Sequence, residues 1–116
     1  MFKSKKYKTA IESLDRTFHD MYNTCNSTIS NANVVLHDLM ETNDFSKARK
    51  NISYSRNSLE NAKKRVDDEF HLFEKYYDVG SVTAVTYSKR MLDYEKADAL
   101  LKTHEYYLEH VIEKGK

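Results

Sequence analysis

Apolar side chains in the first third of the chain recur at Tyr7, Ile11, Leu14, Phe18, Met21, Cys25, Ala32, Val35 and Leu39, and Thr28 fills the remaining place in an alternation of four-residue and three-residue steps. Positions so spaced share one side of an α-helix. At about 1.5 Å per residue the seam is roughly 50 Å long, too much apolar surface to leave in water, so the rest of the chain must cover it. Two further seams are available. Phe45, Ala48, Ile52, Ser55, Leu59, Ala62 and Val66 step by three and four and then change phase to Phe70, Phe73 and Tyr77, while Tyr87, Met91, Tyr94, Ala97, Leu101, His104, Leu108 and Val111 form the third.

These patterns predict helices over about residues 5–41, 44–78 and 82–113. The first begins either at Ser4 or at Thr9, where Thr9 and Glu12 have the spacing of a capping box. Thr42-Asn43-Asp44 suits a left-handed turn followed by a cap. At the second turn Gly80 is expected to take a positive φ and Ser81 to cap the third helix, whose β-branched opening of Val82, Thr83, Val85 and Thr86 favours a few extended residues. The chain has no proline and two glycines, so nothing divides it into the short strands of a β-domain. The expectation is one all-α domain spanning 1–116, an elongated, coiled-coil-like antiparallel three-helix bundle running up-down-up.

Charge supports that register. With Asn43 and Gly80 as pivots, Lys5, Lys6 and Lys8 fall beside Glu74 and Asp78, and Asp38 and Glu41 beside Lys47 and Lys50. Likewise Lys89 and Arg90 fall near Asp67, Asp68 and Glu69, and Glu105, Glu109 and Glu113 near Arg56, Lys50 and Lys47. The second helix carries its bases first and its acids last, against its own dipole, so pairing between helices accounts for the order better than capping does.

Nineteen Lys and Arg against eighteen Asp and Glu leave a net charge of +1, which disfavours non-specific binding to nucleic acid. A local patch remains as an alternative: Lys47, Arg49, Lys50, Arg56, Lys63, Lys64 and Arg65 give the second helix a basic run that Asp67, Asp68 and Glu69 interrupt. The lone Cys25 excludes an internal disulfide and a cysteine-based zinc site, and its seam position suits an inert thiol in a reducing, cytoplasmic compartment. There is no apolar run of membrane-spanning length and no signal-peptide core, so no membrane is expected. Abundant Lys, Asn and Tyr suit an AT-rich coding sequence from a low-GC bacterium or its phages.

Candidate chemistry is sparse. Five histidines invite a search for metal ligands, but inward-facing Glu-x-x-His pairs are missing, and Asp15 with His19, His37 with Glu41 and Asp67 with His71 are ordinary i, i+4 helix pairs. Glycine-rich phosphate loops and nucleophile elbows are also missing, so neither an enzyme nor a cofactor is expected. Asn23 to Asn33 and Asn51 to Asn61 are rich in small polar residues of poor helix propensity, and the register sets them face to face. Thr28, Ser55 and His104 then form one polar core layer, which either fixes register through hydrogen bonds or lines a small-ligand or metal site.

Beside the first seam, Tyr22, Ile29 and Leu36 are spaced by sevens, as are Leu100 and Tyr107 on the third helix. A three-helix core accounts for such stripes; the alternative is an exposed docking face of Tyr22, Ile29 and Leu36 together with Tyr54, Tyr76 and Tyr106, which lie off the seams in a chain of nine tyrosines. Tyr94-Glu95-Lys96-Ala97-Asp98 has the Tyr-x-x-x-Asp/Glu form of the export signal of the small partner proteins of type VII secretion, which the helical hairpin resembles; their Trp-x-Gly turn is replaced by Thr42-Asn43-Asp44. The expected function is a non-enzymatic protein-interaction module, as adaptor, secretion partner or phage-type inhibitor. Self-association is open as well, since long seams pair between chains as readily as within one.

Overall fold

A computed structural model describes residues 4–115, with side chains described over 4–110. Three helices, α1 (Lys5–Thr42), α2 (Phe45–Tyr76) and α3 (Ser81–Gly115), each pack on the other two, in a rod of 66 × 18 × 17 Å. The architecture is the elongated antiparallel three-helix bundle expected. Val111 and Glu113, assigned to the third seam and to charge pairing, lie outside the described side chains.

The helix ends follow from local chemistry. Ser4 caps α1 by accepting the Tyr7 N–H at 3.0 Å, so Thr9 and Glu12 lie within the helix. Asn43 adopts the left-handed conformation, with φ 57°, and its N–H donates to the Leu39 carbonyl; Asp44 then caps α2 by accepting from Lys47 N. Two sequence expectations at the second turn are corrected. Gly80 does not take a positive φ, because α2 stops earlier, at Tyr76, and an extended Tyr77 (φ −139°, ψ 151°) carries the chain across instead of a left-handed residue. The Gly80 carbonyl accepts the Ala84 N–H, so Gly80 holds the cap position and Ser81 is already helical.

No extended residues open α3: Val82, Thr83, Val85 and Thr86 are all helical. Thr86 returns its hydroxyl to the Val82 carbonyl, and continuation into a long packed helix outweighs a propensity penalty of only a few tenths of a kcal/mol per residue. At the other end α3 includes Gly115 instead of stopping before it.

The seams meet as the spacing predicts. Leu14, Phe18, Met21, Cys25, Ala32, Val35 and Leu39 of α1 face Ala48, Ile52, Leu59, Val66, Phe70 and Phe73 of α2, with Ala97, Leu101 and Leu108 of α3 closing the core. One end is aromatic. Tyr7 lies against Phe73 and Tyr77, and Phe70 stacks on Tyr87 with ring centres 4.0 Å apart.

Contacts between α1 and α2 keep Asn43 as their pivot, as with Asp20 and Arg65. Between α2 and α3, the pairs Asp67–Tyr87, Glu60–Tyr94 and Arg56–Asp98 each stand equally far from Tyr77, so the second pivot lies before Gly80, where α2 ends.

Among the described residues the expected charge pairing is realised at one place, Arg56 with Glu105. Among the described residues Lys5, Lys6 and Lys8 form no ion pair with Glu74 or Asp78, and Glu74 meets His71 instead. Asp38 and Lys47 line one small hollow without pairing, and Glu41 turns to His37. Asp67 and Asp68 are met by Lys63 and Lys64 one turn back, and Arg90 forms an ion pair with Asp93 within α3 without hydrogen-bond geometry. Exposed long side chains find their partner one turn away at less entropic cost than across a groove.

Candidate functional site

Besides the small hollow at Asp38 and Lys47, two larger depressions lie along the groove between α1 and α2, and another between α2 and α3. The first, at the aromatic end, holds about 220 Å³ and is lined by Ala10, Leu14, Leu72, Phe73, Tyr76 and Tyr77, with Ser13 and Glu69 beside them. Its apolar floor comes from the seams of both helices. Leu72 and Tyr76, one turn apart on α2, stand on its rim and are 58% and 65% exposed.

The second depression, at the polar centre, holds about 260 Å³. Asn23, Thr24, Ser27, Thr28 and Asn31 line it from α1, and Tyr54, Ser55 and Ser58 from α2. The two polar stretches therefore do face each other, and small side chains leave room between the helices that larger ones would fill. Thr28 and Ser55 share this space and are both buried; His104 is buried too, but is not among the residues that line it. His104 Nδ1 is 3.0 Å from the Leu100 carbonyl, which fixes the proton on that nitrogen, while Nε2 is buried without a hydrogen-bond partner.

The third depression, about 290 Å³, is lined by Arg49, Ile52, Ser53, Arg56, Glu105, Leu108 and Glu109. Arg56 organises its surroundings. Its guanidinium makes two parallel bonds to Glu105, of 3.1 and 2.8 Å, and one to Asp98 of 2.6 Å. The bond to Glu105 raises its pKa, against the opposing effect of burial. For Asp98, burial acts to raise the pKa, but Arg56 and Lys102 outweigh it and hold the carboxylate below its ordinary value.

The six residues of the expected docking face do not share one surface. Tyr22 lies toward α3, where the Arg90 guanidinium sits 4.9 Å from its ring centre. Ile29 is half-buried against the core, and Leu36 is half-buried as well. Tyr54 and Tyr76 belong to the α1–α2 groove, one at each depression. Tyr106, on α3, is exposed and tilted against His110. Leu72 and Leu92 escaped the sequence reading, as did the outward position of Val82 and Val85, which it took only as poor helix formers. The signal available was the spacing of Val85, Leu92 and Tyr106, by seven and then by fourteen residues.

The basic run of α2 is distributed around the helix. Arg56 meets carboxylates on α3, Lys63 meets Asp67, Lys64 meets Asp68, and Arg65 meets Asp20 and Glu69. Lys47, Arg49 and Lys50, near the start of α2, have no ion-pair partner among the described residues. The segment Tyr94 to Asp98 is occupied in packing: the Tyr94 hydroxyl bonds Glu60, Ala97 is fully buried and Asp98 holds Arg56.

His37, Asp38 and Glu41 form one group with ligand atoms within 4.8 Å of one another, at the exposed surface of α1. Cys25 is buried, and burial, with Asp93 nearby, pushes its thiol up to about 11, so it is protonated and unreactive near neutral pH. Among the described residues no helix is long and apolar enough to cross a membrane. No family model, curated protein or solved structure matches the chain.

Proposed function

We propose that this chain is a non-enzymatic protein-interaction module whose partner docks along the α1–α2 groove and seats an apolar side chain in the depression beneath Leu72 and Tyr76. The observation that carries this reading is the pairing of two largely exposed apolar residues with an apolar hollow at their feet. An apolar partner side chain seated there would take both residues and the hollow out of water together, and tyrosine supplies contact area at small entropic cost. Such a groove is compatible with an adaptor, a secretion partner or an inhibitor of a larger protein. The buried thiol suits the reducing cytoplasm.

Nucleic-acid contact through α2 is the weaker reading, because four of its seven candidate cations are already matched by carboxylates. The test is affinity capture from the cells of origin with the wild-type chain and with Leu72→Asp/Tyr76→Asp. The expected result is a partner held by the wild type and weakened at least about tenfold by the double substitution. Equal capture by both forms, or no partner with either, overturns the reading.

A further inference from the structure

We propose that the polar depression at the middle of the α1–α2 groove is a binding site for a neutral polyhydroxylated ligand, a sugar ring or the end of a glycan. All eight of its lining residues are uncharged, in a chain with nineteen basic and eighteen acidic side chains. Seven are hydroxyl or amide residues other than tyrosine, each able to donate and accept. That set is a poor match for an anion, which needs cationic or multiple fixed donors, and for a metal cation, which needs carboxylate or imidazole ligands. It matches hydroxyl groups, which also donate and accept at once.

Two side chains point to a ligand independently of this composition. Thr28 and Ser55 are only 3% and 5% exposed, yet both line the depression and neither hydroxyl has a hydrogen-bond partner among the described residues. Four helical threonine hydroxyls, those of Thr17, Thr42, Thr86 and Thr103, return to the carbonyl one turn back, and those of Thr28 and Ser55 do not. At the rim the exposed ring of Tyr54 offers a flat apolar face of the kind that takes the C–H side of a sugar. The volume of about 260 Å³ equals about nine waters at ~30 Å³ each, enough for one sugar ring.

The test is titration of the full, isotope-labelled chain with glucose, N-acetylglucosamine, chitotriose and, as a charged control, glucuronate, followed by backbone amide shifts. Expected are shifts confined to residues 23–31 and 54–58 with dissociation constants of about 0.1–10 mM, and none with glucuronate at the same concentration. Response to chitotriose alone identifies a glycan end, and response to the single sugars a free sugar; both support the site. Thr28→Val, which keeps the volume and removes the hydroxyl, and Tyr54→Ala, at an exposed position that leaves the core intact, should each weaken binding about tenfold. No shift with any probe at ~50 mM, shifts elsewhere on the rod, or unchanged binding in both variants overturns the proposal.

Discussion

Cys25 and Tyr87 are both weak acids held neutral by their surroundings. Burial pushes Cys25 from 9.0 to about 11 and Tyr87 from 10.0 to about 12, the latter with help from its bond to Asp67. A folded-state pKa above the unfolded value means that the stabilising contribution is complete below the unfolded value and is lost as pH rises through the folded one. Stability should therefore decline from about pH 9 upward, and Cys25→Ala should flatten the part of the curve between 9 and about 11, read by urea unfolding at a series of pH values. The acid limb has the opposite sign. Lys63 and Tyr87 hold Asp67 low against burial, as Arg56 and Lys102 hold Asp98, so their contributions are complete above 3.8 and vanish as pH falls through the depressed values.

Arg56 sets the size of the largest polar effect. Arg56→Met leaves Asp98 and Glu105 facing each other without their shared cation and should cost about 2–3 kcal/mol in chemical denaturation. The sequence did point to Arg56 with Glu105. Asp98 was hidden from it, because finding Asp98 required the shorter pivot that comes from α2 ending at Tyr76.

At the scale of elements, the seams were legible because three-and-four spacing has few other readings over thirty residues, and the buried residues follow it almost throughout. Turn chemistry was legible only where a side chain dictates it. Asn43 is left-handed, as Thr42-Asn43-Asp44 implied, whereas Gly80 permits so many conformations that its presence could not select the one used. The difference is testable. Gly80→Ser places a capping hydroxyl at the start of α3, where an added Cβ meets no atom within 4 Å, and should raise stability by a few tenths of a kcal/mol or more, read as an increase in Tm. Asn43→Val forces a β-branched residue to φ 57° and should cost about 1–2 kcal/mol.

The candidate sites were less legible than the helices. Facing polar stretches could be inferred from register, but whether His104 joins Thr28 and Ser55 depends on the rotation of α3, which spacing alone does not give. Likewise Tyr76 was an off-seam tyrosine in the sequence, and its significance depends on Leu72 and on a hollow formed by another helix.

Taken whole, the rod is uneven along its length. Tyr7, Phe18, Phe70, Phe73, Tyr77 and Tyr87 fill one end, small polar residues occupy the α1–α2 interface at the middle, and Val35, Leu39, Ala48, Ile52 and Leu108 close the other end with smaller side chains. Aromatic rings bury more area per residue, so amide hydrogen exchange should be slowest in 14–21 and 66–73 and faster around 35–52. Equal protection at the two ends would contradict this account. Leu59→Ala, in the fully buried core of α2, should cost about 2–5 kcal/mol.

An odd number of passes also sends the first and last turns of helix to opposite poles of a body 66 Å long. Whatever is tethered at the two poles is held apart by the rod's own length, and tension between them runs parallel to all three axes. Such a load makes the helices slide past one another in shear, resisted by every interdigitated row together, whereas a two-helix hairpin pulled from its adjacent ends would unzip one row at a time.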